Sequence, residues 1–513
     1  CSLHGLHMPE KELAWAFVWK GLKHIETDGL IGFLLPAMGI FLNHKDKTVQ
    51  ARNTWIEKIR IAKIINFSDF CFQLFDGAKR PTVLAIYKNK DNNNNRFEYW
   101  CPKVDILFQA TRMLTLNSGD KIILNQARLL ENPNAWSQYM WMKNRDMKLL
   151  GWLSSLSKLG EKLATYKESI KKTFYKNSKS WIIGQGFKPM TSKKETSKTS
   201  ELVTKLRFLD AENFRPWVIP DKLLGKPVKN SDVGRKGFEN GFNPPHVLIP
   251  TGILRNSGLL RAAYSEEKMC FRHAIQAIRF PENDAPELKL LTAILNSRFA
   301  AWYYFHQTAN IGADRALVHE EQLLELPFPN IEELPDSKSA HEAKNAIIKI
   351  MDKLLQGKDQ ALPGEFPSRG TVEKLNQLVY QYYGFTTDEI TVIEDTLHYI
   401  LKSIQPHRNK SVPLWEIPKN PHWHEYMETL ISSLNEGLQP GNYLSASLIV
   451  NHPDLAVLEL SIQDVRPQNP YQIIERDDAF KCALNKIHDG LKRPLSQNFQ
   501  LIPNLRLFID KSL

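Results

Sequence analysis

Between Glu10 and Lys88 short apolar runs alternate with amphipathic segments, and this alternation limits the possible folds more than any other feature of the chain. Glu10 to Glu26 (EKELAWAFVWKGLKHIE) sets Leu13, Phe17, Leu22 and Ile25 near helical spacing, and Gly29 stops the segment. The next run, LIGFLLP, is apolar on both faces, as a fully buried central strand of a parallel sheet is. Lys45 to Ile59 predicts a second helix with Val49, Ile56 and Ile59 inward. IAKIINF (61–67) and TVLAIYK (82–88) predict two more strands, and DNNNNR (91–96) a polar loop. Strand–helix alternation of this kind builds a doubly wound α/β sheet, of which this segment supplies about half.

Beyond Val104 the pattern is mostly helical and lysine-rich as far as Ser180, and Lys188 to Lys205 is polar and of low complexity, a loop or linker. Arg207 to Pro329 mixes short apolar strands and turns with one helix, ELKLLTAILNSRFAAWYYFHQ, whose Leu291, Ile294, Leu295, Phe299 and Trp302 face inward. A helical stretch follows Pro335. Gly384 then ends a helix, and Thr386 with Glu389 forms a capping box for the next. The last hundred residues form an α+β region with no assignable role. The start at Cys1 and the apolar alternation of the closing NLRLFIDKSL suggest a fragment of a longer protein.

Charge narrows the partners. Against 56 Asp+Glu stand 67 Lys+Arg, a net +11, which favours a polyanion, nucleic acid before membrane, although a basic surface also serves solubility alone. The longest apolar run, Gly29 to Leu42, is too short to span a bilayer, which needs about 20 residues, and Pro36 breaks it. Five scattered cysteines without a CxxC pair suit a reducing compartment, so the cytoplasm is the expected location.

Three blocks carry a family resemblance: the helix followed by DGLIGFLLP; IINFSDFCFQLFDGAKRPTVLAIYKNK; and Phe242 to Pro329, with PHVLIP, a segment ending in RHAIQAIRF, the LNS…YY helix and LPFP. In this order they resemble an N6-adenine-specific DNA methyltransferase of the restriction–modification type with a TaqI-like C-terminal specificity domain. The resemblance implies S-adenosylmethionine as methyl donor, double-stranded DNA as substrate, and restriction or defence-system proteins as further partners. It also implies base flipping, because an exocyclic adenine amine is buried in the duplex and has to be extruded and stacked. Phe75 stands where the family places its stacking aromatic; the alternative is that it packs in the core, as Phe67, Phe70 and Phe72 can. Lys79 and Arg80 follow in the same loop as phosphate contacts or as a solvated turn. In the third block Arg255, Arg272 and Arg315 are candidates for phosphates or base edges, or for structural ion pairs.

GFNPPHVLIP (241–250) comes within one residue of the Asn-Pro-Pro-aromatic loop that holds the amine in this family. Such a loop leaves the end of a buried strand, whereas Asn243 follows a polar, glycine-rich stretch and the strand comes after it. The stretch is therefore expected to lead into a strand, with the catalytic loop upstream of Cys1. The only glycine pair suited to a cofactor, in Trp181-Ile182-Ile183-Gly184-Gln185-Gly186, is not followed by a helix and is a weak match. His4 with His7, His422-Trp423-His424-Glu425, and Pro453-Asp454 with Glu459-Leu460-Ser461 are poor metal or nuclease motifs, the last because serine replaces the needed lysine.

The expected architecture is an α/β, partial doubly wound methyltransferase sheet plus an α+β DNA-recognition domain and a C-terminal helical and α+β region. Its expected parts are the second half of a catalytic domain (1–105), a helical connector (106–180), a specificity domain (181–335), a helical region (336–405) and an α+β region (406–513). The expected function is part of an adenine-N6 methyltransferase, inactive as this chain alone; the alternative is a non-catalytic DNA-binding specificity subunit.

Overall fold

Aromatic residues of three helices and two strands form the layer around which the N-terminal sheet is built. The structure, a computed structural model, describes residues 8–9, 12–43, 45–75, 80–90, 95–104, 108, 114, 116, 118–132, 134–161, 183–190, 201–229, 233–254, 257–280, 284–308, 317–359, 366–404, 422–452 and 455–491. Residues 1–142 with 146–412 form one unit, and 143–145 with 413–513 a second.

In the first unit α1 (Leu13–His24) precedes β1 (Leu30–Pro36), followed by α2 (Ala37–Ile40), α3 (Asp46–Glu57), β2 (Arg60–Asn66), β3 (Thr82–Lys88), β4 (Arg96–Trp100) and β5 (Lys121–Asn125). The strand order is β1-β3-β2-β4-β5. β3 runs antiparallel to both neighbours, with Ala85 opposite Phe33 on one side and Ile64 on the other, so β1 and β2 are parallel to each other. β4 is parallel to β2, and β5 antiparallel to β4. The sheet is thus mixed rather than purely parallel.

Trp55 on α3 meets Trp15 of α1, Phe41 and Tyr87 of β3 edge-on, with centroids 6.5, 5.7 and 5.1 Å away. Trp136, on α4 (Ala135–Trp141), closes the layer against Phe41 and Tyr99 at 4.9 and 5.5 Å. Edge-to-face pairing suits the ring quadrupole and adds about 0.5–1.5 kcal/mol per pair beyond area burial. The buried Arg52 guanidinium donates to the carbonyls of Ile40 (3.2 Å), Phe41 (2.8 Å) and Asn43 (3.1 Å), satisfying backbone that follows the short α2. Buried Gln126 ties three elements together: its amide donates to the Ile56 and Ile59 carbonyls, and its Oε1 accepts from the Ile61 amide and the Asn95 side chain.

The periodicity of the first helix and strand misjudged what each face meets. Trp15, Val18 and Trp19 are the buried residues of α1, whereas Leu13 and Phe17 are exposed. β1 is an edge strand: Ile31 and Leu35 are buried, but Leu30 and Leu34 on its other face are 61% and 56% exposed. Side chains alternate across a strand, so a run apolar on both faces stays half exposed where only one face is covered. KIILN (121–125), expected within a helical connector, is instead strand β5, paired residue for residue with β4.

A second set of sheets follows α5 (Asn144–Leu153): β6 (Ile183–Gln185), β7 (Lys188–Pro189), β8 (Phe208–Leu209), β9 (Trp217–Val218), β10 (Leu224–Gly225), β11 (Val233–Arg235), β12 (His246–Pro250), β13 (Ala263–Ser265), β14 (Cys270–Phe271) and β15 (Ile275–Ile278). Five of them form the sheet β6-β15-β12-β13-β9; β10-β8-β14 and β11-β7 form two smaller ones. Phe187, Leu209, Phe238, Phe242, Leu248 and Phe271 fill the core between them.

The single helix expected over 287–307 is two, α6 (Ala285–Leu295) and α7 (Arg298–Gln307). Ser297 caps α7 by accepting from the Ala300 amide. The Asn296 side chain turns back to bond both the amide and the carbonyl of Ala262, at 2.9 and 2.8 Å. All five residues expected inward are fully buried. On α7, Trp302 donates to the buried Asp146 carboxylate at 3.1 Å, and Phe305 lies 5.9 Å from Trp141, which packs α7 against α4 and α5. Helices α8 (Ser337–Gly357), α9 (Arg369–Tyr383) and α10 (Thr387–Asp395) follow; Gly384 takes the left-handed conformation after α9 (φ +71°), and the Thr386–Glu389 capping box starts α10.

In the second unit α11 (Trp423–Asn435) and α12 (Asp477–Leu491) flank the sheet β17-β16-β18, made of β16 (Tyr443–His452), β17 (Leu455–Gln463) and β18 (Tyr471–Ile474). Leu444, Ala446, Leu448 and Val450 pack with Met427, Leu430 and Ile431 of α11, while Ile449 and Val457 pack with Phe480 of α12. The period-two alternation of β16 thus serves two helices, one on each face.

Candidate nucleic-acid interface

β2 ends at Asn66, whose side chain accepts from the Ser68 amide (3.0 Å) and donates to the Tyr99 hydroxyl (2.9 Å). The chain then makes a short 3-10 turn, Ser68–Phe70, fixed at both ends. Phe70 is buried edge-on against Phe108, at 4.9 Å, and the Asp69 carboxylate accepts from the Val104 amide at 2.8 Å. Asp69 is fully enclosed, and its Oδ1 has no hydrogen-bond partner among the described residues. Burial raises its pKa to about 6, against the pull of the Lys103 charge.

Phe75 follows this anchored turn and is 45% exposed. Among the four phenylalanines of the segment, Phe70 is buried and Phe67 and Phe72 are half-buried, so Phe75 alone lies open to a ligand. Arg80, beyond it, is exposed. Lys79 lies outside the described residues, as do Arg255 and Arg315.

Arg272 is placed by strand pairing. It bridges in parallel with Phe187, and the following His273 donates its amide to the Phe187 carbonyl at 2.9 Å. Lys188, next in the chain, pairs across β7–β11 with Arg235. Four cationic or titratable side chains from three segments therefore meet: Lys188, Arg235, Arg272 and His273. The Arg272 guanidinium lies over the Phe208 ring, 5.3 Å from its centroid, and its side chain is exposed. None of the four forms an ion pair among the described residues. The His273 pKa is lowered, first by partial burial and then by the charges of Lys188, Arg235 and Arg272. Such a cluster of positive charge attracts anions. Of these residues the sequence reading singled out Arg272 only; the other three come together through the β7–β11 and Phe187–Arg272 pairings, which no local pattern announces.

The GFNPPHVLIP stretch is a turn and a strand. A 3-10 turn, Glu239–Phe242, ends with the Asn243 amide donating to the Asn240 carbonyl, and β12 starts at His246. Arg279 donates to the Asn240 and Pro244 carbonyls at 3.1 and 3.4 Å, which fixes the intervening loop. His246 is fully buried with Nδ1 2.7 Å from the Gly241 carbonyl, so Nδ1 carries the proton. Burial lowers its pKa to about 4, opposed by that hydrogen bond and aided by Arg279.

A pH prediction follows. The unfolded chain protonates this histidine near the ordinary value of 6.5, the folded chain only near 4. Its contribution to stability is present above about 6.5 and is lost as pH falls towards 4, by roughly 3 kcal/mol in all. His246→Asn, which keeps a donor for Gly241 and does not titrate, is expected to flatten this part of the profile in denaturant titrations across that range. Equal acid sensitivity in both proteins would refute it.

The glycine pair at 184–186 is closely packed. Gly184 lies within β6, where a Cβ would come 2.7 Å from the Phe238 side chain; at Gly186 one would come 2.0 Å from the Phe271 carbonyl. Both glycines are required by close packing. Among the described residues no group of three or more His, Cys, Asp or Glu has metal-binding spacing. His422 and Glu425 are both exposed and 4.0 Å apart, and His424 lies 3.4 Å from the Tyr471 hydroxyl. Ser461 pairs with Ser445 at 2.7 Å; Pro453, Asp454, His4 and His7 lie outside the described residues. Among the described residues no helix is long and apolar enough to cross a membrane.

No family model matches the chain, and no curated protein does. It is similar to the solved structures of the type IIG restriction endonuclease BpuSI (12% identity, covering 72% of this chain and 49% of that one, TM-score 0.27) and of the type IIL restriction-modification enzyme MmeI in complex with DNA (14%, 76% and 51%, TM-score 0.36). A DrdV–DNA complex is similar at 10% identity, covering 69% of this chain and 40% of that one, with TM-score 0.32. The chain therefore spans about half the length of these proteins, and TM-scores of this size describe a distant likeness of shape that carries no information about activity.

Proposed function

We propose that the chain is part of a site-specific adenine-N6 DNA methyltransferase of a restriction–modification or phage-defence system. The observation that carries this reading is Phe75: a large apolar ring in the open, in the segment that follows the anchored turn beyond the carboxyl end of β2. In open α/β sheets that end is where ligands bind. There Phe75 stacks on the extruded adenine, and the Arg272 cluster of the recognition part holds the phosphate backbone. The resemblance of the three sequence blocks supports the choice of adenine and of S-adenosylmethionine as donor. On this reading the close-packed Gly184 and Gly186 do not form the donor's loop. The closely packed Gly184 and Gly186 equally suit the second reading, a DNA-binding specificity subunit without catalysis.

The intact gene product, incubated with duplex DNA and labelled S-adenosylmethionine, is expected to label adenine N6. Its DNA affinity is expected to fall with salt at a log–log slope of about −2.7 or steeper, about −0.9 for each phosphate neutralised by Lys188, Arg235 and Arg272. Label on cytosine refutes the adenine reading. Salt-sensitive binding without transfer to any base leaves the specificity subunit in its place.

A further inference from the structure

A second pair of arginines stands on the same rim of the five-stranded sheet as Arg272. β9 pairs in parallel with β13, Trp217 opposite Ala263, and this register brings Arg215 level with Arg261, two residues before each strand position. The Trp217 amide donates to the Ala262 carbonyl at 2.7 Å, and the Asn296 side chain grips both polar groups of Ala262. The backbone under both arginines is therefore fixed.

Three features of this pair call for an anion. The two guanidinium groups face each other's charge, with Arg215 next to burial among the causes that lower the Arg261 pKa. Neither makes an ion pair among the described residues; Arg215 spends one donor on the Phe214 carbonyl at 3.2 Å. The Arg261 Nε is sheltered from solvent and has no partner among the described residues. A buried guanidinium donor left unmade is costly, and a like-charged neighbour adds to the cost, so the arrangement is stabilised by a ligand with several acceptor oxygens. Trp217, two residues after Arg215 and the first residue of β9, has a φ of +78°, a left-handed conformation rare for a bulky residue. Backbone of this kind costs about 1–3 kcal/mol and collects at ligand-holding positions.

The register also places the pair relative to Arg272. β15 begins opposite Pro250 at the carboxyl end of β12, and β13 runs antiparallel to β12 with Ala263 opposite Leu248. Arg272 and His273, before β15, and Arg261 and Arg215, before β13 and β9, thus all lie at the β12 carboxyl end. With strands about 4.8 Å apart, the step from β15 to β9 is about 14 Å, comparable with the major groove of B-DNA at about 12 Å.

We propose that Arg215 and Arg261 form a second phosphate clamp, gripping a DNA backbone phosphate across the groove from the Arg272 cluster. The assignment rests on the DNA-binding reading above and adds the far side of the footprint. Fluorescence anisotropy of a labelled duplex over a salt series, with the full chain, tests it. The double variant R215Q/R261Q is expected to weaken binding about equally for all sequences and to make the salt slope shallower by about 1–2. R215K/R261K, which keeps the charges and loses the two-pronged donors, is expected to keep the wild-type slope at reduced affinity. An unchanged affinity and slope in the glutamine variant, with salt-sensitive binding by the wild type, overturns the clamp and leaves the DNA reading standing. A slope lost equally in the lysine variant also overturns it, because charge would then not be what the pair supplies. Salt-insensitive or absent binding by the wild type overturns both.

Discussion

Replacing Phe75 with alanine is expected to lower methyl transfer by the intact enzyme roughly 5- to 150-fold, the equivalent of about 1–3 kcal/mol of base stacking. The side chain is exposed on a turn whose other anchors, the Asn66 and Asp69 hydrogen bonds, do not involve it. Its removal therefore changes stability by no more than about 0.5 kcal/mol, as surface substitutions generally do. DNA affinity through the Arg272 cluster is likewise expected to hold. Phe75→Trp keeps a flat ring and is expected to keep most of the activity. The discriminating measurement is single-turnover transfer, together with the fluorescence of 2-aminopurine at the target position. Undiminished transfer and unaltered fluorescence in the alanine variant would make Phe75 an ordinary surface residue.

The second large effect concerns the fold. Arg52→Met is expected to destabilise the first unit by about 3 kcal/mol, because methionine fills much of the volume but donates no hydrogen bond. Two opposed terms decide the size. Burial disfavours the guanidinium charge, lowering its pKa to about 10, and removing the charge relieves that penalty. Against this, the Ile40, Phe41 and Asn43 carbonyls lose a donor, and each buried orphan costs about 1–3 kcal/mol. The carbonyls win because they stay behind after the charge has gone. Denaturant titration reads the loss directly; a change below about 0.5 kcal/mol, the range of surface substitutions, would show that the carbonyls find other donors.

Local pattern located much of the secondary structure. TVLAIYK is a strand over the predicted residues, the capping box at Thr386 starts a helix, and Gly384 ends one with the left-handed turn that glycine favours. These are decided by residues within a few positions of one another, so they can be read from the chain. GFNPPHVLIP leads into a strand as its composition suggests: a polar, glycine-rich stretch precedes Asn243, and the buried His246 starts β12.

What failed in the sequence depended on partners far along the chain. LIGFLLP was recognisable as a strand, but whether both faces are covered depends on what packs there, and Leu30 and Leu34 are open. The ELKLLTAILNSRFAAWYYFHQ helix reads as continuous until Asn296 finds Ala262, thirty-four residues away, and breaks it. Arg272 was a lone candidate until pairing brought Lys188, Arg235 and His273 beside it, and Arg215 and Arg261 meet only because β9 joins the sheet parallel to β13. Sequence determined the net positive charge through composition, and many of the elements because short-range sterics and hydrogen bonding set them. Only the tertiary structure decided which charges stand together, because strand register, a long-range pairing, sets the distances over which they act.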